Sequence, residues 1–139
     1  MKRWHLWSAA LVALILFALS AAAIRNGRKK QAQNKREVAY QSVLNSYSAA
    51  LKPGLARQEV ENYLRTKAVG FQQMCCIDER SAFADLVKIG KEDAPWYCSE
   101  QNIYVAFQFA AVEPHEAFKA FDSDTLKSVT IFRWLEGCL

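Results

Sequence analysis

The chain has 139 residues, of which 52% are hydrophobic and 23% charged, enough for one small packed domain and too apolar for a disordered tail. Its formal charge of +4 comes from 18 basic and 14 acidic residues, but eight of the basic ones precede position 37 and every acid lies at Glu37 or beyond. From Glu37 onward, ten basic residues stand against 14 acids, a balance of −4 that excludes the basic face a nucleic-acid-binding domain requires.

Residues 4–24, "WHLWSAALVALILFALSAAAI", form an apolar run whose polar members are His5, Ser8 and Ser20. About 20 such residues span a bilayer. A cleavable signal peptide is the competing reading, with Lys2 and Arg3 as its basic start and Ala21-Ala22-Ala23 as its cleavage site. Residues 1–24 are read as a retained anchor, because the run exceeds a signal core and a basic cluster follows it at once. No cysteine near the run offers a bacterial lipid anchor.

Residues 25–37 form a basic juxtamembrane linker, with Arg25, Arg28, Lys29, Lys30, Lys35 and Arg36 placed to sit against anionic lipid headgroups. Each such cation contributes about 1 kcal/mol near the surface. Positive charge next to an anchor marks the cytoplasmic side. Four cysteines after the anchor point instead to an oxidising compartment.

Residues 38–139 read as an α+β domain. Tyr40, Leu44, Tyr47 and Leu51, with Val43, make the apolar stripe of an amphipathic helix that Pro53 and Gly54 end. A second helix, "LARQEVENYLRTK", places Val60, Tyr63, Leu64 and Lys67 on one face and lacks a side-chain cap, because Ala56 stands where serine or threonine serves best. From Gly70 the period changes from 3.6 to 2. "VGFQQMCC", "FADLVKIG", "IYVAFQFAAV" and "SVTIFRW" are four strand candidates, and the third puts Ile103, Val105, Phe107 and Phe109 on a core face. The expected fold is an N-terminal transmembrane helix, then two helices packed on one face of a four-stranded antiparallel sheet. Long connections are expected before Ile103 and before Ser128.

The order of helix, Pro53-Gly54 stop, "GLARQEVENYL" and strands resembles the small bacterial envelope domains of the SmpA/OmlA type, BamE among them, and the related fold of β-lactamase inhibitory protein. The signature is Gly54 followed by a helix carrying Glu59-Val60 and Tyr63-Leu64. The resemblance implies a noncatalytic, envelope-facing module that works through protein contacts. The segments "MCC", "DLVKIG", "EDAPWYCSE" and "LEGCL" also resemble those of uncharacterised bacterial single-pass membrane proteins, which implies no function. Cysteine usage and the SmpA/OmlA resemblance together favour the extracytoplasmic side.

Cys75 and Cys76, as neighbours on a strand, point to opposite faces and do not chelate one ion as an i, i+3 pair does. A bond between them joins Cα atoms about 3.8 Å apart, below the usual disulfide span, and is disfavoured as a staple. Cys98 and Cys138 flank the last two strand candidates at one end of the sheet and are the favoured disulfide, leaving Cys75 and Cys76 as thiols. Crossed pairings, and a fully reduced protein with buried cysteines, remain open.

His115, between Glu113 and Glu116, has no nucleophile placed beside it and reads as a loop histidine. "DSDT", residues 122–125, reads as a polar turn, since it lacks the other ligands of a calcium loop. Trp96 and Tyr97 are either interface anchors or the plug of a small core. No metal, cofactor or small-molecule site is expected, and no catalytic residue. The expected role is that of a noncatalytic membrane-anchored interaction or structural module whose partner is an envelope protein. The alternative is a thiol-based redox sensor or oxidoreductase using Cys75 and Cys76.

Overall fold

No proline interrupts "RNGRKKQAQNKR", and its lysines, arginines, glutamines and alanine are strong helix formers. In the structure, a computed structural model, the linker is accordingly helical, and one helix, α1 (Lys2–Ala50), replaces the separate anchor, linker and first domain helix expected from the sequence. The structure describes residues 2–75, 77, 83–112 and 120–139, with the side chains of residues 2–16, 18, 19 and 21 outside that description. Most of the apolar run 4–24 therefore has no described side chain. Among the described residues no helix is long and apolar enough to cross a membrane.

The chain divides into two compact units, Met1–Ala39 and Tyr40–Leu139. The first is the helical N-terminal part of α1. The second holds the last turns of α1, helix α2 (Arg57–Thr66) and strands β1 (Gln72–Met74), β2 (Ala84–Glu92), β3 (Glu100–Ala110) and β4 (Thr125–Glu136). The strands form one antiparallel meander in the order β1-β2-β3-β4. Each of the four strand candidates thus supplies one strand, and the α+β class with an antiparallel sheet is as the sequence periods dictate.

One sheet face carries Val87, Val105, Phe107 and Phe109, packed against Leu51, Val60 and Leu64 of the helical side. Tyr47 of α1 meets Phe107 edge-on at 5.4 Å. Phe107 and Phe109 are fully buried, each contributing roughly 1.5–3 kcal/mol through lost water contact. The other face is apolar at its centre too, with Ala84, Leu86, Tyr104 and Ala106 buried beside Met74, Phe132 and Trp134. β3 is thus buried on both sides, so its even-numbered residues do not form the open face that alternation alone suggests.

α2 solves its missing side-chain cap with backbone from elsewhere. Asp124 O accepts from Arg57 N at 2.7 Å and Asp122 O accepts from Gln58 N at 3.1 Å, while Glu59 Oε2 reaches back to Ala56 N at 2.8 Å. The polar turn of "DSDT" is therefore the cap of α2. Asp124 is buried there, its Oδ2 accepting from Phe121 N. At the other end, Ala68 N bonds Arg65 O and Val69 N bonds Leu64 O, the two bonds of a Schellman stop, with Ala68 in the left-handed region at φ 54°. Gly54 takes the positive φ of 95° that the turn after α1 requires.

β2 carries a bulge between Lys88 and Gly90. Gly90 lies against the ring of buried Tyr40, where a Cβ would stand 2.7 Å from Cε1 and from the hydroxyl. The tip of the Tyr40 ring thereby takes the space that a side chain at position 90 needs.

Candidate functional site

The connection between β2 and β3 is residues 93–99, shorter than expected because both strands extend into it. Cys98 N bonds Pro95 O at 2.9 Å, closing a turn that places Trp96 and Tyr97 at its two central positions. Side chains at such positions project outward. Trp96 is 90% exposed and Tyr97 43%, their rings edge-to-face at 5.8 Å, so the core-plug reading is set aside for these two aromatics.

Cys98 and Cys138 form a disulfide across 40 residues of sequence. The pairing follows from register: Glu100 and Glu136 are direct partners on β3 and β4, so the cysteines two residues farther out meet at the same sheet end. Ser99 N and Oγ both donate to Glu136 O, and Leu139 N donates to Tyr97 O at 2.9 Å. These bonds and the disulfide hold the aromatic turn against the chain end, where Leu139 is fully exposed.

Cys75 requires a correction. It is disulfide-bonded, and no free cysteine occurs among the described residues, so the thiol expected there is absent. The alternation that separates neighbouring side chains holds only inside a strand, and β1 ends at Met74, leaving Cys75 in a bend. Met74, Cys75, Ile77, Phe132 and Trp134 line an apolar groove of about 400 Å³. Cys76 lies outside the described residues, as do Glu113, His115 and Glu116.

A second, more polar groove of about 470 Å³ opens on the same sheet face, lined by Gln72, Leu86, Lys88, Asn102, Tyr104 and Glu136 among others. Asn102 Nδ2 donates to Glu136 Oε1 at 2.8 Å and to Glu100 Oε2 at 3.3 Å, and the Tyr104 hydroxyl donates to Glu136 Oε1 at 3.2 Å. Hydrogen bonds from Lys91 and then Asn102 hold the Glu100 carboxyl below its ordinary pKa. Burial, followed by the bond to Glu136, raises the Tyr104 hydroxyl above its own.

The basic residues of the linker are all exposed. On a helix of 3.6 residues per turn, Arg25, Arg28, Lys29, Lys35 and Arg36 fall within a stripe roughly 120° wide, with Lys30 outside it. Helical structure thus gathers into one face what the sequence presents as a diffuse collar.

Residue-by-residue reading of α2 missed its buried charges. Arg57 and Asp85 are 1% and 0% exposed and form an ion pair between α2 and β2. Glu61 Oε1 accepts from Arg57 Nε at 3.2 Å and from Gln73, while its Oε2 accepts from Arg65 at 2.6 Å. The Arg57 guanidinium also lies 4.9 Å from the Phe109 ring centre. Positions 57, 60, 61 and 64 form one i, i+3, i+4, i+7 stripe, and an opposite-charge pair at i, i+4 on that stripe was the available signal. Arg57, Glu61 and Asp85 are buried while Arg65 and Gln73 cover the cluster from the exposed side, an arrangement that belongs to the framework.

Among the described residues no group of three or more His, Cys, Asp or Glu side chains is arranged to hold a metal ion. No family model, curated protein or solved structure matches the chain.

Proposed function

We propose that this is a noncatalytic, single-pass membrane-anchored protein of the bacterial envelope whose α+β domain docks another protein through Trp96 and Tyr97. The observation that carries the reading is a tryptophan 90% exposed at the centre of a turn clamped by the Cys98–Cys138 disulfide. A rigid aromatic loses little conformational freedom on binding, and tryptophan and tyrosine are the residues most enriched among energetic anchors of interfaces.

The anchor rests on the 21-residue run 4–24, and the basic stripe of α1 is its lipid-headgroup contact. The disulfide favours the extracytoplasmic side, since such bonds persist in oxidising compartments. The SmpA/OmlA resemblance points the same way, toward a module acting through protein contacts.

The test is site-specific crosslinking in cells, with p-benzoylphenylalanine placed at position 97 and, as control, at exposed position 112. One discrete adduct from position 97 alone, lost when Trp96 is also replaced by alanine, is the expected result. Equal adducts from both positions, or none from position 97, overturn the reading.

A second reading, thiol–disulfide chemistry at Cys75 and Cys76, draws on the disulfide-bonded Cys75 bordering an apolar groove. A redox-active disulfide there is reduced by mild dithiol before the Cys98–Cys138 bond is, and the released thiolate alkylates well below pH 8.5. Simultaneous reduction of all cysteines, with alkylation rising only near that pH, removes this reading.

A further inference from the structure

β4 is an edge of the sheet. Its 12 residues, "TLKSVTIFRWLE", contain neither proline nor glycine, whereas β1 at the other edge is 3 residues long. Short strands, proline and bulges are the usual means of keeping an edge from pairing with another chain. β4 has its bulge at Lys127, near its start, where Ser128 pairs with Gln108 and Leu126 with Phe109.

Two bonds fix which backbone groups face outward. Leu126 N donates to Leu55 O at 2.7 Å and Leu126 O accepts from Gly54 N at 2.8 Å, so Leu126 turns its peptide groups away from β3. The extra residue at Lys127 shifts the alternation by one, which turns Val129, Ile131, Arg133 and Leu135 outward. The outward N–H and C=O groups of Val129, Ile131 and Leu135 meet no partner among the described residues.

The apolar groove beside Cys75 adjoins this strand. It touches Phe132, Arg133, Trp134 and Leu135 in succession, so it follows the backbone of β4 and not the side chains of one face alone. An open edge supplies backbone bonds and a groove beside it takes alternate side chains, the two elements of recognition by strand addition.

We propose that the added strand is β4 of a second copy of this chain, paired antiparallel about a two-fold axis at Phe132. In that register Phe132 faces Phe132 of the copy, Thr130 faces Trp134 and Val129 faces Leu135, which brings half-buried aromatics together and matches outward backbone groups with outward backbone groups. The other symmetric registers are poorer. Centring on Thr130 sets Lys127 opposite Arg133, like charge against like, and centring on Ile131 sets Lys127 opposite Leu135 and Phe132 opposite Thr130. One strand thus supplies the open edge, the groove wall and the aromatics that fill the groove, and this self-complementarity selects a second copy over an unrelated strand. The inference goes beyond the docking role of Trp96 and Tyr97 and does not rest on it.

The test is sedimentation equilibrium of the full chain in density-matched detergent micelles, with Ile131→Pro as the edge block. The Ile131 N–H points outward, so proline there removes no bond to β3, and edge strands tolerate it in that position. The wild type is expected to be a dimer, and Ile131→Pro to weaken it about tenfold or more, the scale of two hydrogen bonds lost per dimer. Register is read separately by oxidative crosslinking. Phe132→Cys is expected to join to itself, and Thr130→Cys to Trp134→Cys only when the two variants are mixed, while the wild type under the same oxidant gives no covalent dimer. These variants keep the edge intact and test the pairing even where Ile131→Pro fails to fold. A monomeric wild type, a dimer that folded Ile131→Pro leaves equally tight, or no crosslink at Phe132→Cys overturns the proposal, and a monomer leaves the edge to a strand of another protein. A monomer does not alter the adduct expected from position 97, and failure of that adduct leaves the β4 pairing standing.

Discussion

Arg57 and Asp85, 28 residues apart in the chain, meet as an ion pair sealed between α2 and β2. Burial raises the Asp85 pKa to about 6, against the opposing pull of Arg57. An acid whose folded pKa lies above its unfolded value binds more protons when folded, so its contribution is fully present below the unfolded value near 3.8 and is lost as pH rises to about 6. A shift of this size corresponds to roughly 2–3 kcal/mol. Denaturant unfolding of the wild type and Asp85→Asn from pH 4 to 7 is expected to show that loss in the wild type only. Parallel stability curves for the two proteins contradict it.

Removing Arg57 is a different experiment, because it strands two buried carboxylates. Arg57→Met is expected to destabilise the domain by about 3–5 kcal/mol. Arg57→Met with Asp85→Asn recovers part of that loss, since the second change removes one stranded charge. A double variant as unstable as the sum of the singles shows that the pair is not coupled.

Ala68 holds a left-handed conformation, φ 54°, at the Schellman stop of α2, a place where glycine pays no Cβ penalty. Ala68→Gly is expected to stabilise the domain by about 0.5–1 kcal/mol, read as a rise in the midpoint of denaturation. A lowered midpoint refutes this account of the helix end.

Gly90 is confined by the Tyr40 ring. Gly90→Ala is expected to cost about 1–3 kcal/mol, the range for forcing volume into a packed site. Tyr40→Leu placed in the Gly90→Ala background returns part of that stability. A Gly90→Ala protein of wild-type stability shows that the ring moves aside without cost.

The Cys98–Cys138 bond closes 40 residues and is worth about 3–4 kcal/mol in the chain-entropy view. Cys98→Ser with Cys138→Ser is expected to lower stability by that amount and to broaden the amide signals of Trp96 and Tyr97. Unchanged signals at these two residues indicate that backbone bonds alone hold the turn.

Periodicity alone carried the α+β class, because both local repeats, 3.6 before Gly70 and 2 after it, are properties of neighbouring residues. It also carried the disulfide at Cys98 and Cys138, since strand ends joined by antiparallel pairing lie together whatever the rest of the sheet does. The favoured pairing needed no knowledge of the core. The absence of proline between Arg25 and Arg36 is equally readable, and the single glycine there, Gly27, does not break the helix.

Tertiary contact decided the rest. Alternation cannot say whether the second face of β3 is covered, because coverage depends on what other segments reach it. Nor does a list of charges show that Arg57 and Glu61 turn inward, since their partners, Asp85 and Gln73, come from strands distant in the chain. The cap of α2 is supplied by carbonyls of residues 122 and 124, far beyond any local capping rule. The polar groove exists only because register sets Glu100 against Glu136 and folds Asn102 between them. Local sequence fixes what each segment is, through backbone preference and apolar spacing. Which polar groups meet, and which strand edge is left open, is settled by strand register and packing between segments.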